Sequence, residues 1–420
     1  MIGSPSGRRV AMVVNNGVEG DSRVQRIARS AADAGWDVLL LGRSATGGTE
    51  RLRIAGLPTV LVAPDRSLSA TGRAELRRRD AVAGRRGARL RHGAWRLLDP
   101  WVQSFELAAA PHLEDFAPDL VHAHDRHTLP LAARSVAFLR ARGRPAGWLS
   151  DVHEDVGATA AREATGLRGA LRRRMVIGQQ AEFLPDADAV VTVSDTLANR
   201  LATNHRLREL PTVVLNSPWP GPSTTSPSLR ALTGLGRDVP LLVYAGGCAP
   251  QRGVANVIEA LVRLDDVHLA LVCASADPDA AALLAQAEAL KVAERVHRVD
   301  YVPADQVVPL LRGADVGLVP LLHRPNHEIS LVTKYLEYLH AGLPVVTSDV
   351  REMAAFTSEH ELGAVYPAGD VDGLAGGVRR VLADRVRVSA RVARSPAVAE
   401  TAWPRQAGRL LALYDLIAPG

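Results

Sequence analysis

Short apolar runs alternate with helical patterns along this chain, and the alternation occurs in two separate series. In the first series, residues 10–15 and 36–42 are strand-like runs rich in Val and Leu. Asp21 or Ser22 can cap the helix between them, and Gly35 can end it. Apolar strands that are separated by helices pair in parallel, because the helices then cover both faces of the sheet. The alternation predicts a doubly wound α/β fold.

The same pattern restarts in the second half of the chain. Its helices are predicted at residues 253–264, at 279–290 and from about Ser330 to Gly342. The remaining strands are predicted at residues 59–63, 120–123, 147–153, 189–194 and 212–216 in the first series, and at 241–246, 268–273, near 296, 316–319 and 344–347 in the second.

A segment rich in Ser, Pro and Thr separates the two series at residues 217–228, and this composition is typical of a connector. A chain of 420 residues also exceeds what one hydrophobic core usually organises. We therefore predict two Rossmann-like domains at residues 1–216 and 239–400, with a linker at 217–238. Residues 401–420 are predicted to form a C-terminal helix that packs back on the N-terminal domain. The two sheets are expected to face one another across a ligand-binding cleft.

Two features bear on the cellular compartment. No apolar run has the length of a signal peptide or of a membrane-spanning helix, which predicts a cytoplasmic protein. Cys248 and Cys273 stand apart in strand-like contexts, which suits buried reduced thiols better than a disulfide framework or a metal cluster.

The formal net charge of +5 is concentrated in one segment, Arg73 to Arg96, which is followed by an apolar and aromatic rim. Three interpretations are open. The segment could lie at the inner membrane face as a peripheral contact, attract a phosphate-bearing acceptor, or form a solvated helical face. No nucleic-acid-binding motif accompanies the charge, so nucleic acid is not a predicted partner.

A glycine-rich turn follows the predicted strand that ends at Ala245. Gly246 and Gly247 permit a tight turn, and Arg252 supplies a fixed cation next to the start of the following helix. These groups suit a diphosphate, although ordinary strand-to-helix turns also contain Gly and Arg. The turn is therefore a candidate anion site.

The second candidate segment is the helix predicted from Ser330. Lys334 and Glu337 are three residues apart and share one face of this helix. A phosphate could meet Lys334 and the helix N-terminus, and Glu337 could accept hydrogen bonds from two ribose hydroxyls. The alternative is a surface ion pair. Lys334 is one of only two lysines in a chain that otherwise uses Arg, which favours a specific need for an ammonium group.

At these residues the chain resembles the family 4 retaining glycosyltransferases of the GT-B fold. The resemblance covers the glycine-rich turn, the pattern ADVGLVPL at residues 314–321 and the Lys334-x-x-Glu337 block with the AGLPVV that follows it. It extends to NNGVEGDSRVQRIA at residues 15–28, DLVHAHD at 119–125 and SDVHED at 150–155. It implies an acceptor-side N-terminal domain and a C-terminal domain that binds a nucleotide-sugar.

The resemblance also implies roles for individual residues. Glu337 would bind the ribose, and His153 would contact the transferred sugar near the reacting centre. His122, His124 and His127 are interpreted as structural. The implied diphosphate site consists of Gly246, Gly247, Arg252, Val332, Thr333 and Lys334, and the implied acceptor-side loop includes Gly17, Asp21 and Arg23. The acceptor would be a saccharide, a lipid-linked sugar or a small molecule.

The sequence departs from the family pattern at two positions. The family places a glutamate eight residues before Glu337, where this chain has Ile329 with Glu328 beside it. Either the loop shifts by one residue so that Glu328 becomes the catalytic contact with the sugar, or this contact is missing. The family often has an arginine where this chain has Gly247. Neutralisation of the diphosphate charge would therefore depend more on Arg252 and Lys334.

Metal binding is not predicted, because these cations and a helix N-terminus can oppose the charge of the leaving diphosphate. The acidic triplets at residues 186–188 and 277–279 are interpreted as turn and capping residues. Two other functions stay open: a nucleotide-sugar epimerase, and a non-catalytic protein that binds sugar nucleotides. A nicotinamide dehydrogenase is disfavoured, because no G-x-G-x-x-G follows the first strand.

Overall fold

The computed structural model describes residues 7–64, 68–84, 95, 100–163, 166–219 and 228–419. The chain divides into two compact units. The first comprises Met1–Val214 with Ala407–Gly420, and the second comprises Leu215–Gln406. Within the described ranges, none of the helices combines the length and the apolar character that crossing a bilayer requires.

The described part of the first unit contains an eight-stranded sheet in the order β3-β4-β2-β1-β5-β6-β7-β8. Its central strands are completely buried, because helices cover both faces, and they carry polar as well as apolar side chains. Every pairing is parallel except that of β3 with β4. The strands are β1 Arg9–Val13, β2 Asp37–Arg43, β3 Glu50–Ile54, β4 Leu57–Val62, β5 Leu120–His124, β6 Gly147–Val152, β7 Ala189–Thr192 and β8 Thr212–Val213.

The α-helices of the first unit are Ser22–Asp33, Ala70–Val82, Pro100–Phe116, Leu129–Ala141, Val156–Glu163, Gly166–Phe183 and Asp195–His205, with short 3₁₀ turns at Arg126–Thr128 and Leu184–Asp186.

A parallel sheet of six strands forms the second unit, in the order β11-β10-β9-β12-β13-β14. Alternate side chains of β9 supply the two halves of the core: Leu242 and Tyr244 pack on one face, and Leu241 and Val243 on the other. The strands are β9 Leu241–Ala245, β10 His268–Cys273, β11 Val296–Asp300, β12 Val316–Val319, β13 Val345–Ser348 and β14 Gly363–Tyr366.

The α-helices from residue 228 onward are Leu229–Thr233, Val254–Leu261, Pro278–Ala289, Ala304–Leu311, Thr333–His340, Arg351–Glu359, Val371–Ala383, Arg385–Arg394, Pro396–Glu400 and Trp403–Ile417, with 3₁₀ turns at Pro250–Arg252 and Ala293–Arg295.

The last helix contributes its C-terminal part to the first unit. The ring of Tyr414 packs edge-on against Trp36, with 5.4 Å between ring centroids, and its hydroxyl lies 2.6 Å from Nδ1 of His122. Arg8 also forms an ion pair with Asp415 at 2.7 Å. These contacts bring the end of the chain back to the first sheet.

The predicted fold of two doubly wound α/β domains is confirmed. The sequence analysis missed two strands, β3 and β14. Strand β3 has the sequence ERLRI and is exposed over most of its length, so it lacks the apolar signal of a buried strand. Strand β14 is a half-buried edge strand that begins at Gly363. Its exposure likewise weakens the signal.

The basic segment is described only in part. Arg85 to Arg91 and Arg96 lie outside the described residues. In the helix Ala70–Val82, Arg77 and Arg78 are exposed, but Arg79 is buried and contacts Glu106, Glu114 and Ser135. Arg79 lies within the predicted basic segment, but it belongs to a buried ion-pair network and so is not available to solvent or to a membrane surface.

Candidate functional site

The turn after β9 requires glycine at two positions. Gly246 has a φ of +134°, and a Cβ atom there would lie 2.6 Å from the Nζ atom of Lys334. Gly253 has a φ of +71°, and its Cβ would lie 1.8 Å from the carbonyl oxygen of Pro320. Side chains at either position would therefore collide with their neighbours. The first glycine gives the lysine amine direct access to the backbone of the turn.

Lys334 places its amine in a buried position beside the glycine turn. Its side chain is buried, and its Nζ atom lies 3.6 Å from the centroid of the Tyr244 ring. Among the described residues, no hydrogen-bond partner contacts Nζ. Burial first, and then the nearby charge of Arg252, lower the pKa of Lys334 well below its ordinary value. An anionic ligand would relieve both effects, because it would pair with the ammonium group.

The helix that carries Lys334 presents its N-terminus at the same place. The helix begins at Thr333, three residues later than predicted, because Val332 has an extended backbone with a ψ of 149°. In the described chain no side chain caps this end, and the Thr333 hydroxyl accepts a hydrogen bond of 2.7 Å from Asn216. The amide groups of the first turn and the helix dipole are suited to binding an anion.

Tyr338 fixes the position of this helix against the sheet. Its hydroxyl oxygen accepts a hydrogen bond of 2.8 Å from the amide of Ala245, the last residue of β9. The ring fits because residue 317 is glycine; a Cβ there would lie 2.4 Å from Cγ of Tyr338. Glu337 precedes Tyr338 and is half-buried, and its charge favours the charged form of Lys334. The helix therefore holds Lys334 and Glu337 beside the glycine turn.

Two further groups shape the turn. Arg252 is half-buried at the end of the turn Pro250–Arg252, and its charge lowers the pKa of Lys334. Asp277 accepts a hydrogen bond of 3.0 Å from the amide of Cys248 and a second one from the amide of Asp279. Asp277 thus caps the helix Pro278–Ala289, and it also holds the loop between Gly247 and Arg252.

Glu328 and Ile329 lie where the family pattern places a glutamate, and both residues contact other parts of the protein. Ile329 is buried. One carboxylate oxygen of Glu328 lies 2.6 Å from Nδ1 of His323, and the other accepts a hydrogen bond of 2.8 Å from the amide of Arg351. Glu328 therefore binds the start of the helix Arg351–Glu359. These contacts give Glu328 a structural role, and its predicted contact with the sugar stays a prediction.

A histidine–aspartate cluster lies at the carboxyl ends of β5 and β6 in the first unit. The carboxylate of Asp151 is fully buried, and Arg23 donates to both of its oxygens at 2.8 and 2.9 Å. The side chains of His122, His124 and His153 surround one oxygen of Asp151 at 3.6, 3.5 and 3.3 Å. The family resemblance did not single out Asp151; its signal was a polar residue within a buried strand.

His122, His124 and Asp151 are close enough together to share a metal ion. Protein groups already contact several of their atoms. Arg23 binds both oxygens of Asp151, and Tyr414 contacts His122. Burial lowers the pKa of both histidines, so they are neutral near neutral pH. Among the described residues, the Nε2 atoms of His122 and His124 have no hydrogen-bond partner. Arg23 already supplies a positive charge to the carboxylate, and the expectation that no metal is bound stays a prediction.

His153 stands at the open side of this cluster. Its Nδ1 atom lies 3.4 Å from Asp125, and its side chain is 21% exposed. Asp125 has a φ of +61°, which directs the chain away from β5. Burial alone would lower the pKa of His153, but the carboxylates of Asp125 and Asp151 raise it to about 10. The side chain is therefore an accessible imidazolium near neutral pH.

The residues of the predicted acceptor-side loop fall into different environments. Gly17 is exposed. Asp21 caps the helix Ser22–Asp33 by accepting a hydrogen bond of 3.1 Å from the amide of Val24. Arg23 is only 3% exposed, and besides Asp151 it binds the carbonyl oxygen of Val214 at 2.9 Å. In this structure Arg23 supports the cluster from inside, so direct contact with an acceptor is not favoured.

The raised pKa of His153 leads to a testable pH dependence. The folded-state pKa of His153, about 10, exceeds the ordinary value of 6.5. Protonated His153 therefore stabilises the folded state, and this contribution is complete below pH 6.5. It is lost as the pH rises toward 10. We expect NMR titration to place the His153 midpoint near 10 and Asp125→Asn to lower it. The His153→Gln variant should lose less stability than the wild type across this range. A wild-type midpoint at or below 6.5 would contradict the geometry.

Comparison with known proteins gives consistent results for the two halves of the chain. Residues 20–217 match a glycosyl transferase 4-like domain, and residues 239–384 match the model described as glycosyl transferases group 1. Glycogen synthase of Mycobacterium tuberculosis is 27% identical over 307 residues, which cover 71% of this chain and 68% of that protein.

Solved structures with the same fold cover nearly the whole chain. Sucrose-phosphate synthase from Thermosynechococcus elongatus aligns with a TM-score of 0.69 and 17% identity over 98% of this chain and 99% of that one. Anabaena HepE in complex with UDP and glucose aligns with a TM-score of 0.67 and 15% identity over 97% and 100% of the two chains. At these identities, the structural similarity establishes the fold alone.

Proposed function

Because this chain belongs to the glycosyl transferase family that its two domains match, we propose that it is a retaining, metal-independent glycosyltransferase with its donor site at Lys334. The family establishes the general activity, which is transfer of a sugar from a nucleotide-sugar in glycan synthesis. It gives no support to the epimerase alternative. The observation that carries the site assignment is the buried Nζ atom of Lys334, which has no hydrogen-bond partner among the described residues.

We propose that the donor diphosphate lies over the glycine turn. Lys334 and Arg252 would oppose its charge, and the amides of Val332 and Thr333 would donate to its oxygens. Gly246 admits the diphosphate close to the backbone, as it admits the lysine amine. Glu337, one helical turn beyond Lys334, would then accept hydrogen bonds from the ribose hydroxyls.

The same groups account for the proposed chemistry. In transfer, the bond between the anomeric carbon and the diphosphate breaks and a bond to the acceptor oxygen forms. The leaving diphosphate gains negative charge, and preorganised cations and amides stabilise this charge most in the transition state. With retention, the acceptor attacks from the face that the diphosphate leaves, so a diphosphate oxygen can take the acceptor proton.

His153 is the proposed contact with the transferred sugar. Its imidazolium can donate a hydrogen bond to a sugar hydroxyl, while Asp125 and Asp151 fix the ring from behind. The resemblance to family 4 supports this role. The acceptor is proposed to be a saccharide or a lipid-linked sugar; the name of the mycobacterial relative indicates a glucan, and the charge of residues 73–96 favours an anionic group.

A donor screen tests the activity directly. UDP-, GDP-, ADP- and dTDP-sugars are compared by thermal unfolding, because a ligand at a hundred times its Kd stabilises the folded state by about 2.7 kcal/mol. The stabilising donor is then incubated with saccharide acceptors, and release of nucleotide diphosphate is measured with EDTA or with manganese. We expect equal transfer rates in both. Loss of transfer in EDTA that manganese restores would contradict metal independence, and the absence of stabilisation by every donor would contradict the donor site.

Glu337 and Glu328 provide the second test. If Glu337 binds the ribose, Glu337→Gln should weaken binding of both the donor and the free nucleotide diphosphate by about ten- to a hundredfold, the effect of losing a charge-assisted hydrogen bond. Glu328→Gln is the matched control, because the contacts of Glu328 favour a structural role. It should leave diphosphate affinity nearly intact by calorimetry.

Two results would change this assignment. If Glu337→Gln binds the nucleotide diphosphate as tightly as the wild type, Glu337 does not bind the ribose. A selective loss of transfer in Glu328→Gln, with normal diphosphate affinity and normal stability, would restore Glu328 as the sugar contact.

A further inference from the structure

The loop after β1 holds a valine in a backbone conformation that valine rarely adopts. Val18 has a φ of +66°, and the amide of Glu19 donates a hydrogen bond of 2.7 Å to the carbonyl oxygen of Gly17. A bond between residues i and i+2 around a positive φ defines a rare and strained form of the γ-turn. The β-branched side chain makes this conformation less favourable still. The surrounding structure must therefore stabilise the turn.

The contacts of Val18 supply this stabilisation. Its side chain is completely buried, and it fits because residue 42 of β2 is glycine; a Cβ atom there would lie 2.7 Å from Cγ2 of Val18 and 2.7 Å from the carbonyl oxygen of Asn16. The amide of Val18 donates a hydrogen bond of 2.8 Å to the side chain of Asn16. Its carbonyl oxygen accepts bonds of 2.9 Å from the amide of Asp21 and 3.0 Å from the side chain of Gln25.

The strained turn lies at the same edge of the first sheet as His153. Strands β1 and β5 are parallel neighbours, so the loop after β1 and Asp125 after β5 leave the sheet at its carboxyl edge, where open α/β sheets bind ligands. Arg23, just beyond the loop, binds Asp151, and the carboxylate of Asp151 lies 3.3 Å from His153. Strained backbone is concentrated at sites that bind ligands.

Glu19 is the side chain that the turn presents to solvent. The residue is exposed, whereas its main chain is fixed on both sides. Its amide donates to Gly17, and its carbonyl oxygen accepts a hydrogen bond of 2.6 Å from the side chain of Gln25. An ionised carboxylate accepts hydrogen bonds and donates none, so it suits hydroxyl groups and disfavours phosphates.

We propose that Glu19 binds a hydroxyl group of the acceptor, and that Val18 is a positioning residue that fixes the direction of Glu19 before the acceptor binds. The proposal rests on the proposed transfer reaction. It adds that the part of the acceptor at this edge is neutral and rich in hydroxyl groups. A loop that is ordered in advance loses less conformational freedom when the acceptor binds, which offsets the strain at Val18.

Glycine and alanine at position 18 measure the strain. Because glycine accepts a positive φ and alanine does not, Val18→Gly should have an unfolding equilibrium constant about fivefold smaller than that of Val18→Ala in urea. Val136, which is 1% exposed within the helix Leu129–Ala141, is the control. There the glycine variant should be the less stable by about fivefold. If position 18 gives the same order as position 136, the turn is not strained.

Steady-state kinetics of the full chain test the contact with the acceptor. Maltoheptaose and myo-inositol are the neutral acceptors, and glucose 6-phosphate and inositol 1-phosphate are the phosphorylated ones. Glu19→Gln should raise the KM for a neutral acceptor by about ten- to a hundredfold and leave nucleotide diphosphate affinity nearly unchanged. Val18→Gly should raise the same KM by roughly fivefold, because the loop must then become ordered on binding.

Two variants separate positioning from stability. Val18→Thr keeps the branched shape and should keep the wild-type KM for the acceptor, although its buried hydroxyl lowers stability. Glu209→Gln is the matched control for charge, because Glu209 is exposed and precedes β8, at the opposite edge of the sheet. It should leave transfer unchanged.

Three results would overturn the proposal. They are a wild-type KM for the neutral acceptor in Glu19→Gln, transfer by the wild type to the phosphorylated acceptors alone, and a rise of KM in Val18→Thr as large as that in Val18→Gly. The stability comparison at positions 18 and 136 needs no donor or acceptor. Failure of the proposed transfer reaction would therefore be seen separately, as the absence of stabilisation by every donor.

Discussion

Replacement of Lys334 by Met should weaken nucleotide diphosphate binding by about ten- to a hundredfold and lower kcat/KM for transfer by about a hundred- to a thousandfold. The effect on transfer is larger because the ammonium group opposes charge that grows only as the diphosphate leaves. Methionine has a similar length and keeps the contact with the Tyr244 ring, which lies 3.6 Å from Nζ. The change therefore removes the charge and little of the packing.

The same substitution should stabilise the ligand-free protein. Burial lowers the pKa of Lys334, so the charged form has an unfavourable environment when no anion is bound. Urea unfolding of Lys334→Met should therefore give a higher free energy of unfolding than the wild type in the absence of ligand. A residue whose removal raises stability and impairs function is typical of a binding site, not of a structural ion pair.

Lys291, the second lysine of the chain, provides the matched control. It is exposed, and Lys291→Met should leave donor affinity and transfer unchanged. Calorimetry with the nucleotide diphosphate and steady-state kinetics measure the two effects. If Lys334→Met binds the diphosphate as tightly as the wild type, the anion site lies elsewhere and the unpaired amine has no role in donor binding.

Much of the second unit could be predicted from the sequence, because its signals are local. The predicted strands at residues 268–273 and 316–319 have the same bounds in the structure, since each is a short, buried apolar run. Lys334 and Glu337 lie on one helix, so their spacing alone places them together. The contacts that position this helix were not predictable, because Tyr338 and Ala245 meet only through tertiary packing.

The histidine–aspartate cluster shows the opposite case. Arg23, Asp151 and Tyr414 come from separate parts of the sequence, and no local spacing indicates that they meet at β5 and β6. Arg23 was predicted in an acceptor-side loop because the neighbouring residues resemble that loop. The resemblance covers the neighbouring residues, but it does not fix where the Arg23 side chain points, because that depends on the carboxylate of Asp151.

Rupture of the Arg23–Asp151 pair should cause the largest loss of stability among the changes considered. Both side chains are at most 3% exposed, and removal of one leaves the other charged group buried without its partner. We expect Arg23→Met and Asp151→Asn each to lower the free energy of unfolding by about 3–5 kcal/mol, as measured with urea. The double variant should be more stable than the sum of the two losses predicts, because neither charge is then left alone.

Two controls distinguish loss of the Arg23–Asp151 ion pair from a nonspecific loss of stability: an exposed ion pair and the titration of His153. Arg263 and Asp372 are exposed, and Asp372→Asn should change the free energy of unfolding by no more than about 1 kcal/mol. Asp151→Asn should also lower the pKa of His153, because Asp151 is one of the two carboxylates that raise it. Arg23→Met keeps both carboxylates and should leave His153 protonated at neutral pH. If His153 titrates alike in all three proteins, Asp151 does not support it, and the cluster has a purely structural role.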